Sequence, residues 1–152
     1  MLAKRFYTMH DVGTKRIPRV YVAGSHRDQF VNTVKFDMMA AVVEKHGDGM
    51  KFLDPVRHSI SRDNHDDIVR VNTTDIEQCD LFIALTGDRI GSGTAIEMHI
   101  AGSILKKDVL LFTNLNYDNV TPHLRHICKQ NVFPLYRATE IIDSWVREWY
   151  DR

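Results

Sequence analysis

The stretch LFIALTGDRIGSGTAIEMHIAG, residues 81 to 102, joins a short apolar run to a helical pattern through a glycine-rich loop. The five apolar residues at 81–85 have the length and composition of a strand that is buried on both faces. Apolar residues recur at helical spacing from about Gly93, and the pattern ends at Lys106-Lys107, whose charges suit a helix C-terminus. The stretch predicts a strand, a loop and a helix of a parallel α/β sheet.

Short apolar runs alternate with longer helical patterns along most of the chain, which is typical of an α/β fold. Further strands are predicted at 17–23, 50–53, 109–112 and 132–135, the last at a sheet edge because it contains Pro134. Further helices are predicted at 29–45, 66–78, 122–129 and 138–150. The pattern predicts a single-domain, three-layer, doubly wound α/β sandwich of the flavodoxin or Rossmann-like kind, with a five-stranded, mostly parallel sheet. This domain would span residues 17–152, behind a flexible N-terminal arm at 1–16.

Composition and charge exclude several classes of partner. Twenty basic and twenty acidic residues cancel, so the sequence offers no electrostatic footprint for a nucleic acid polymer or a membrane surface. Cys79 and Cys128 form no paired motif, which favours a reducing, cytoplasmic location. The histidines are scattered without metal-binding spacing, so neither a metal nor another cofactor is expected.

Glu97 is the most informative residue of the quoted stretch. On a helical wheel, Gly93, Ile100, Ala101 and Ile104 lie within about 40–60° of it. One interpretation is a carboxylate that complements the helix dipole, but this interaction is weaker than the cost of burying an unpaired charge. The second interpretation is an apolar stripe that opens onto a cavity, where the carboxylate meets a substrate.

Asn72 breaks an apolar line in the same way on the preceding helix. Ile68, Asn72 and Ile76 follow one another at four-residue steps. The amide either bonds to nearby backbone or shares a pocket with Glu97.

Two loops that follow predicted strands are candidates for binding an anion. The loop GDRIGSGT, residues 87–94, supplies three glycines and two hydroxyls before a helix, where free backbone N–H groups bind anions readily. The second loop, GSHR, contains Gly24, Ser25 and Arg27, and its arginine is either a phosphate ligand or a surface residue.

Three segments together resemble the nucleoside 2-deoxyribosyltransferase family. They are YVAG at 21–24, IEQCDLFIA at 76–84 and GTAIE at 93–97. The relation extends to the deoxynucleoside 5′-monophosphate N-glycosidases, and it covers roughly residues 17 to 113. The GTAIE segment, placed just after a strand, is its most specific part.

The resemblance implies that Glu97 is a nucleophile that attacks the anomeric carbon of a (deoxy)nucleoside and expels the base. Tyr21 matches the tyrosine that hydrogen-bonds and orients this carboxylate. Two positions depart from the family pattern. Asn72 occupies the place of an aspartate that assists departure of the base, and Gly91 that of an aspartate that holds the sugar. The nearby Asp88 is a candidate substitute for the second.

The resemblance also implies a place for a 5′-phosphate and a role for a second subunit. The GSHR loop at 24–27 is similar to a phosphate-binding loop of the N-glycosidases, and Ser92 lies where hydroxyls hold the phosphate. Family active sites are completed by a neighbouring subunit, here by the region that contains Asn114, Asn116 and Tyr117. A homodimer or higher homo-oligomer is therefore expected.

The function implied is cleavage of the N-glycosidic bond of a small-molecule nucleoside or nucleotide, with transfer of the sugar to another base. Two alternatives stay open, namely transfer to water from a 5′-monophosphate and a catalytically weakened sensor that only binds a nucleotide. A phosphoribohydrolase of the cytokinin-activating type also pairs glycine-threonine with a glutamate. It typically carries an arginine within that motif, which this sequence lacks.

Overall fold

The computed structural model describes residues 16–24, 27–55 and 64–152. Its strands are β1 (Arg19–Gly24), β2 (Lys51–Leu53), β3 (Leu81–Leu85), β4 (Asp108–Thr113) and β5 (Val132–Pro134). Its α-helices are α1 (Gln29–His46), α2 (His65–Gln78), α3 (Ser92–His99), α4 (Pro122–Cys128) and α5 (Ala138–Asp151). A π-helical turn, Ile100–Ile104, directly follows α3.

Within these ranges the five strands form one sheet in the order β2–β1–β3–β4–β5, and every neighbouring pair is parallel. This is the flavodoxin order, so the predicted doubly wound α/β fold is confirmed. The sheet is all-parallel here rather than mostly parallel. The strand order reverses between β1 and β3, and ligands bind beyond the carboxyl ends of the strands at such a point.

Two apolar cores, one on each face of the sheet, follow from the alternation of side chains along β1. Val20 and Val22 pack with α1 and α5 on one face, whereas Tyr21 and Ala23 pack with α2, α3 and α4 on the other. All four side chains are at most 1% exposed. The hydroxyl of Tyr21, which is the polar end of its side chain, therefore lies on the side of the sheet that carries α2 and α3.

Local capping fixes where α1 and α2 begin. The Asp28 carboxylate accepts a hydrogen bond from the backbone N–H of Val31 at 3.0 Å, and the Asn64 side chain accepts one from Asp67 at 3.2 Å. Both are common N-cap arrangements. Both helices lie within one residue of their predicted limits.

The buried face of α1 does not follow the apolar spacing of its sequence throughout. Phe30, which fits the helical apolar period, is 63% exposed, and Val31 is buried in its place. Lys35 is also buried, and its Nζ lies 3.2 Å from Oδ1 of Asp54 at the end of β2. A charged residue on an inner helix face is compatible with the fold because its partner is buried beside it.

The helix predicted from Gly93 to Lys107 is interrupted. α3 ends at His99, and the π turn closes with a 2.9 Å bond from the N–H of Leu105 to the carbonyl of Ile100. Lys106 then takes a left-handed conformation with φ of 58°, which ends the helical path.

Of the predicted arm at 1–16, residues 1–15 lie outside the described residues. Arg16 is held by Asp80, and its guanidinium lies 5.5 Å from the ring centre of Trp149. None of the described helices is both long and apolar enough to cross a bilayer.

Gly102, in the π turn, is expected to tolerate no side chain. A Cβ there would collide with Cγ2 of Ile127 and lie 3.3 Å from Cγ2 of Val109. We expect Gly102→Ala to lower the free energy of unfolding by about 1–3 kcal/mol, the usual cost of overpacking. Gly93→Ala on α3 is the matched control, because a Cβ there meets nothing within 4 Å. Urea unfolding of both variants measures the difference, and equal stabilities would contradict the proposed close packing.

Candidate active site

The hydroxyl of Tyr21 donates a hydrogen bond to Oε2 of Glu97 at 3.0 Å. Tyr21 is completely buried, and its ring stacks on Phe82 of the adjacent strand with ring centres 5.2 Å apart and planes 15° apart. The two residues are direct partners in the β1–β3 register. The ring is therefore fixed by the sheet, and its hydroxyl fixes the carboxylate.

Asn72 donates a second hydrogen bond to the same oxygen. Its Nδ2 lies 3.4 Å from Oε2 of Glu97. Both bonds end on Oε2, and neither reaches Oε1. Of the two interpretations of Asn72, the structure favours a position shared with Glu97.

Burial raises the pKa of Glu97, while the hydrogen bonds from Tyr21 and Asn72 lower it, and the net effect is an increase. Burial and the adjacent Glu97 charge raise the pKa of Tyr21 far above its ordinary value. The phenol therefore stays protonated and acts as a donor at neutral pH. Among the described residues the hydrogen-bond partners of Glu97 are neutral groups, which leave its charge uncompensated.

The predicted central position of Glu97 in an apolar stripe is wrong. The buried residues of α3 and its π turn are Thr94, Met98 and Ala101, whereas Gly93 is exposed and Ile104 is 60% exposed. Glu97 lies at the edge of the buried face and is partly exposed. The helical wheel shows which residues share a side of the helix, but it does not show that the rest of the protein covers only part of that side. The edge position leaves Glu97 only partly covered.

Gly24, Gly91 and Gly93 occupy different environments. A Cβ on Gly24 would lie 2.7 Å from the carbonyl oxygen of Leu85, so the close approach of β1 and β3 requires glycine there. Gly91 is the N-cap of α3, and a Cβ on Gly91 or Gly93 would meet nothing within 4 Å. The start of α3, which includes the exposed Ser92, is thus open for a ligand to approach its N–H groups.

Two further candidates, Arg27 and Asp88, are exposed and follow β1 and β3 at the carboxyl edge of the sheet. Ser25, another proposed phosphate ligand, lies outside the described residues. Of the predicted catalytic and binding residues, the structure joins Tyr21, Asn72 and Glu97 by hydrogen bonds.

Asn114 and Asn116 follow β4 and belong to a different part of the surface. They line a groove of about 500 Å³, together with Phe30 of α1 and Tyr136 beyond β5. The lining of this groove includes none of Tyr21, Asn72 and Glu97. Within one chain these asparagines therefore do not belong to the Glu97 cluster.

Sequence reasoning missed Phe82 and Asp28 as supports of the site. Phe82 could have been inferred from the alternation on β3, which aligns it with Tyr21. Asp28 reaches towards the loop after β3, where a Cβ on Gly87 would lie 2.9 Å from its Oδ2. No sequence signal links these two loops.

The described residues include no group of three histidine, cysteine or acidic side chains placed to hold a metal ion. His99 Nδ1 and His123 Nε2 are 3.4 Å apart on the α3–α4 surface. Two such ligands alone make an incomplete site.

No family profile matches the sequence, and no curated protein matches it either. Solved structures do match. The 2-deoxyribosyltransferase of Bacillus psychrosaccharolyticus has 18% identity and a TM-score of 0.57, over 72% of this chain and 81% of that one. The CMP N-glycosidase of Clostridium botulinum has 21% identity and a TM-score of 0.55, over 84% and 97%. A conserved protein of Enterococcus faecalis has 15% identity and a TM-score of 0.66, over 88% and 99%. The chain has the fold of the nucleoside 2-deoxyribosyltransferases, which supports the resemblance noted in its sequence.

The raised pKa of Glu97 predicts that its charge destabilises the fold at neutral pH. The folded state binds the proton more tightly than the unfolded chain, so this penalty is present above the raised pKa and disappears below the ordinary value of 4.5. We expect Glu97→Gln to raise the melting temperature at pH 7–8, and the gain to vanish as the pH falls to about 4. Thermal melts across this range measure it. Glu44→Gln, at an exposed site on α1, is the control. A gain that does not change with pH would contradict the argument.

Proposed function

We propose that this protein cleaves the N-glycosidic bond of a (deoxy)nucleoside or its 5′-monophosphate through a covalent glycosyl intermediate on Glu97. The observation that carries the proposal is the hydrogen-bonded trio of Tyr21, Asn72 and Glu97, with the carboxylate at the margin of a buried helix face. A partly desolvated carboxylate whose hydrogen-bond partners among the described residues are all neutral is a costly feature that a purely structural role does not require.

The trio assigns separate tasks to the two carboxylate oxygens. Oε2 accepts both hydrogen bonds and is fixed, which leaves Oε1 to attack C1′ of the sugar. The C1′–N bond breaks through an oxocarbenium-like transition state, and an ester between Glu97 and the sugar forms. A second nucleophile then attacks C1′ and regenerates the carboxylate.

The proposed second nucleophile is another base, which makes the reaction a deoxyribosyl transfer. Hydrolysis of a nucleoside 5′-monophosphate is the second candidate. It is favoured by Arg27 beside the carboxyl end of β1, and by a match that extends over 97% of a CMP N-glycosidase. A mixture of nucleoside and free acceptor base separates the two, because transfer yields a new nucleoside whereas hydrolysis yields free sugar.

A second subunit is proposed to complete the site. Val69 of α2, Ile96 of α3 and Ile104 of the π turn after α3 have apolar side chains that are 60–63% exposed. Exposed apolar groups of this kind often mark an interface. Asn114 and Asn116, which are separate from Glu97 within one chain, would then contribute to the site of a neighbour. Sedimentation as a single chain at micromolar concentration would contradict this assembly.

The Glu97→Ala variant is expected to lose at least about 10³-fold of glycosidic cleavage, the scale on which nucleophile removal acts. Wild-type protein is incubated with the common nucleosides and their 5′-monophosphates, and mass spectrometry follows both the released base and a glycosyl adduct on the protein. Glu44→Ala, at the exposed α1 position, is the control. Turnover near wild type in Glu97→Ala would eliminate the nucleophile, and saturable binding without turnover in the wild type would indicate a sensor.

The Arg27→Ala variant is expected to raise KM for 5′-monophosphates by about 10- to 100-fold, which is the effect of losing a charged hydrogen bond. KM for the matching nucleosides should change little, because they have no phosphate. Arg70→Ala is the control, since Arg70 is exposed and forms a surface ion pair with Asp67. Equal changes for nucleosides and monophosphates would remove the phosphate role.

A further inference from the structure

Asn72 forms a hydrogen bond with the proposed nucleophile, Glu97, but its amide cannot serve as a general acid. Its Nδ2 lies 3.4 Å from Oε2 of Glu97, so the amide is a donor to a carboxylate. A neutral amide does not release a proton at any physiological pH. Asn72 therefore supports the charge of Glu97 without serving as an acid for a departing base.

Tyr21 is committed to the nucleophile in the same way. Its hydroxyl is the second donor to Oε2, and its ring is completely buried against Phe82. A general acid must reach the atom that it protonates within about 2.6–3.2 Å. A hydroxyl already directed at Oε2 from inside the core faces the nucleophile and not the base.

Asp75 is the next acid along α2, and its charge contributes to the raised pKa of Tyr21, but its backbone lies farther than that of Asn72 from the carboxyl edge of the sheet. α2 starts after β2 at the carboxyl edge of the sheet and ends before β3 at the opposite edge. Three residues advance a helix by about 4.5 Å, so Asp75 is that much farther than Asn72 from the edge where ligands bind.

We infer that Asn72 gives the site formed by the described residues a preference for N-glycosides whose base departs without being protonated, such as an N-alkylated cationic purine or an electron-poor pyrimidine. The inference rests on the proposed function. In the step, a lone pair of Glu97 Oε1 forms the bond to C1′, and the electrons of the C1′–N bond stay on the base nitrogen. A cationic base leaves as a neutral molecule, and an electron-poor pyrimidine leaves as a stabilised anion that later takes a proton from water. An ordinary purine needs a proton during bond cleavage, and the trio does not supply one.

The test uses two substrate pairs that differ in how easily the base departs. They are 7-methylguanosine 5′-monophosphate against guanosine 5′-monophosphate, and 5-bromo-2′-deoxyuridine 5′-monophosphate against its unsubstituted parent. For each pair, kcat/KM is measured, since it reports the step that breaks the glycosidic bond. The wild type is expected to prefer the activated member by at least about 100-fold, because a missing general acid costs 10²–10⁴-fold for the poorer leaving group.

Two variants separate leaving-group selection from a structural role of Asn72. Asn72→Asp restores a group that can carry a proton beside Glu97, and it is expected to reduce the preference by at least about 10-fold by raising the rate for the parent substrate. Asn72→Ala removes the hydrogen bond without adding an acid, so it should lower kcat/KM of both members by the same factor.

Three results overturn part of the argument in different ways. A wild-type preference below about 10-fold overturns the inference while leaving the proposed function intact. So does an unchanged preference in an active Asn72→Asp variant. If the Asn72→Asp variant is inactive, the inference is judged only from the wild-type ratio of kcat/KM between the activated and the parent substrate. If the wild type cleaves neither member of either pair, and no nucleoside in the wider panel, the proposed function itself fails.

Discussion

The site depends on one constraint, which is that a carboxylate at the margin of the core must remain partly desolvated and still accept two hydrogen bonds on one oxygen. Tyr21 satisfies half of it from the middle of β1, and Asn72 satisfies the other half from α2. Each bond to a charged group contributes about 1.5–3 kcal/mol, which offsets part of the cost of burial. Burial still prevails, since the pKa of Glu97 remains raised. The two described partners thus order the carboxylate without neutralising it.

The sheet order makes this arrangement possible. Tyr21 and Glu97 are 76 residues apart in the chain, and they meet because β3 pairs directly with β1, which places α3 next to that strand. α2 lies on the same face because the chain changes sides between β2 and β3, at the point where the strand order reverses. Phe82 then stacks under the tyrosine ring. A one-residue slip between β1 and β3 would turn Tyr21 away from α3.

The sequence predicted the fold, Asn72 and Glu97 from strong local patterns, whereas Tyr21 was indicated only by the family resemblance. Apolar runs and helical periods located the elements, and polar residues at apolar positions singled out Asn72 and Glu97. The sequence did not predict which residues of α3 and its π turn are buried. A helical wheel treats Ala101 and Ile104 alike, yet Ala101 is buried and Ile104 is 60% exposed. The buried pair of Lys35 and Asp54 was not predictable either, since neither residue marks its partner in the sequence.

The amide at position 72 also determines the charge state of the site. Two carboxylates at the observed separation of 3.4 Å would not both ionise at neutral pH, so an aspartate there would share a proton with Glu97. Such a pair can deliver that proton to a leaving group, but Glu97 is then ionised in only part of the population. With an amide, two neutral donors favour the charge of Glu97 and burial opposes it. In the proposed mechanism, the amide therefore gives up a proton donor and leaves Glu97 as a nucleophile whose ionisation is independent of any acid in the trio.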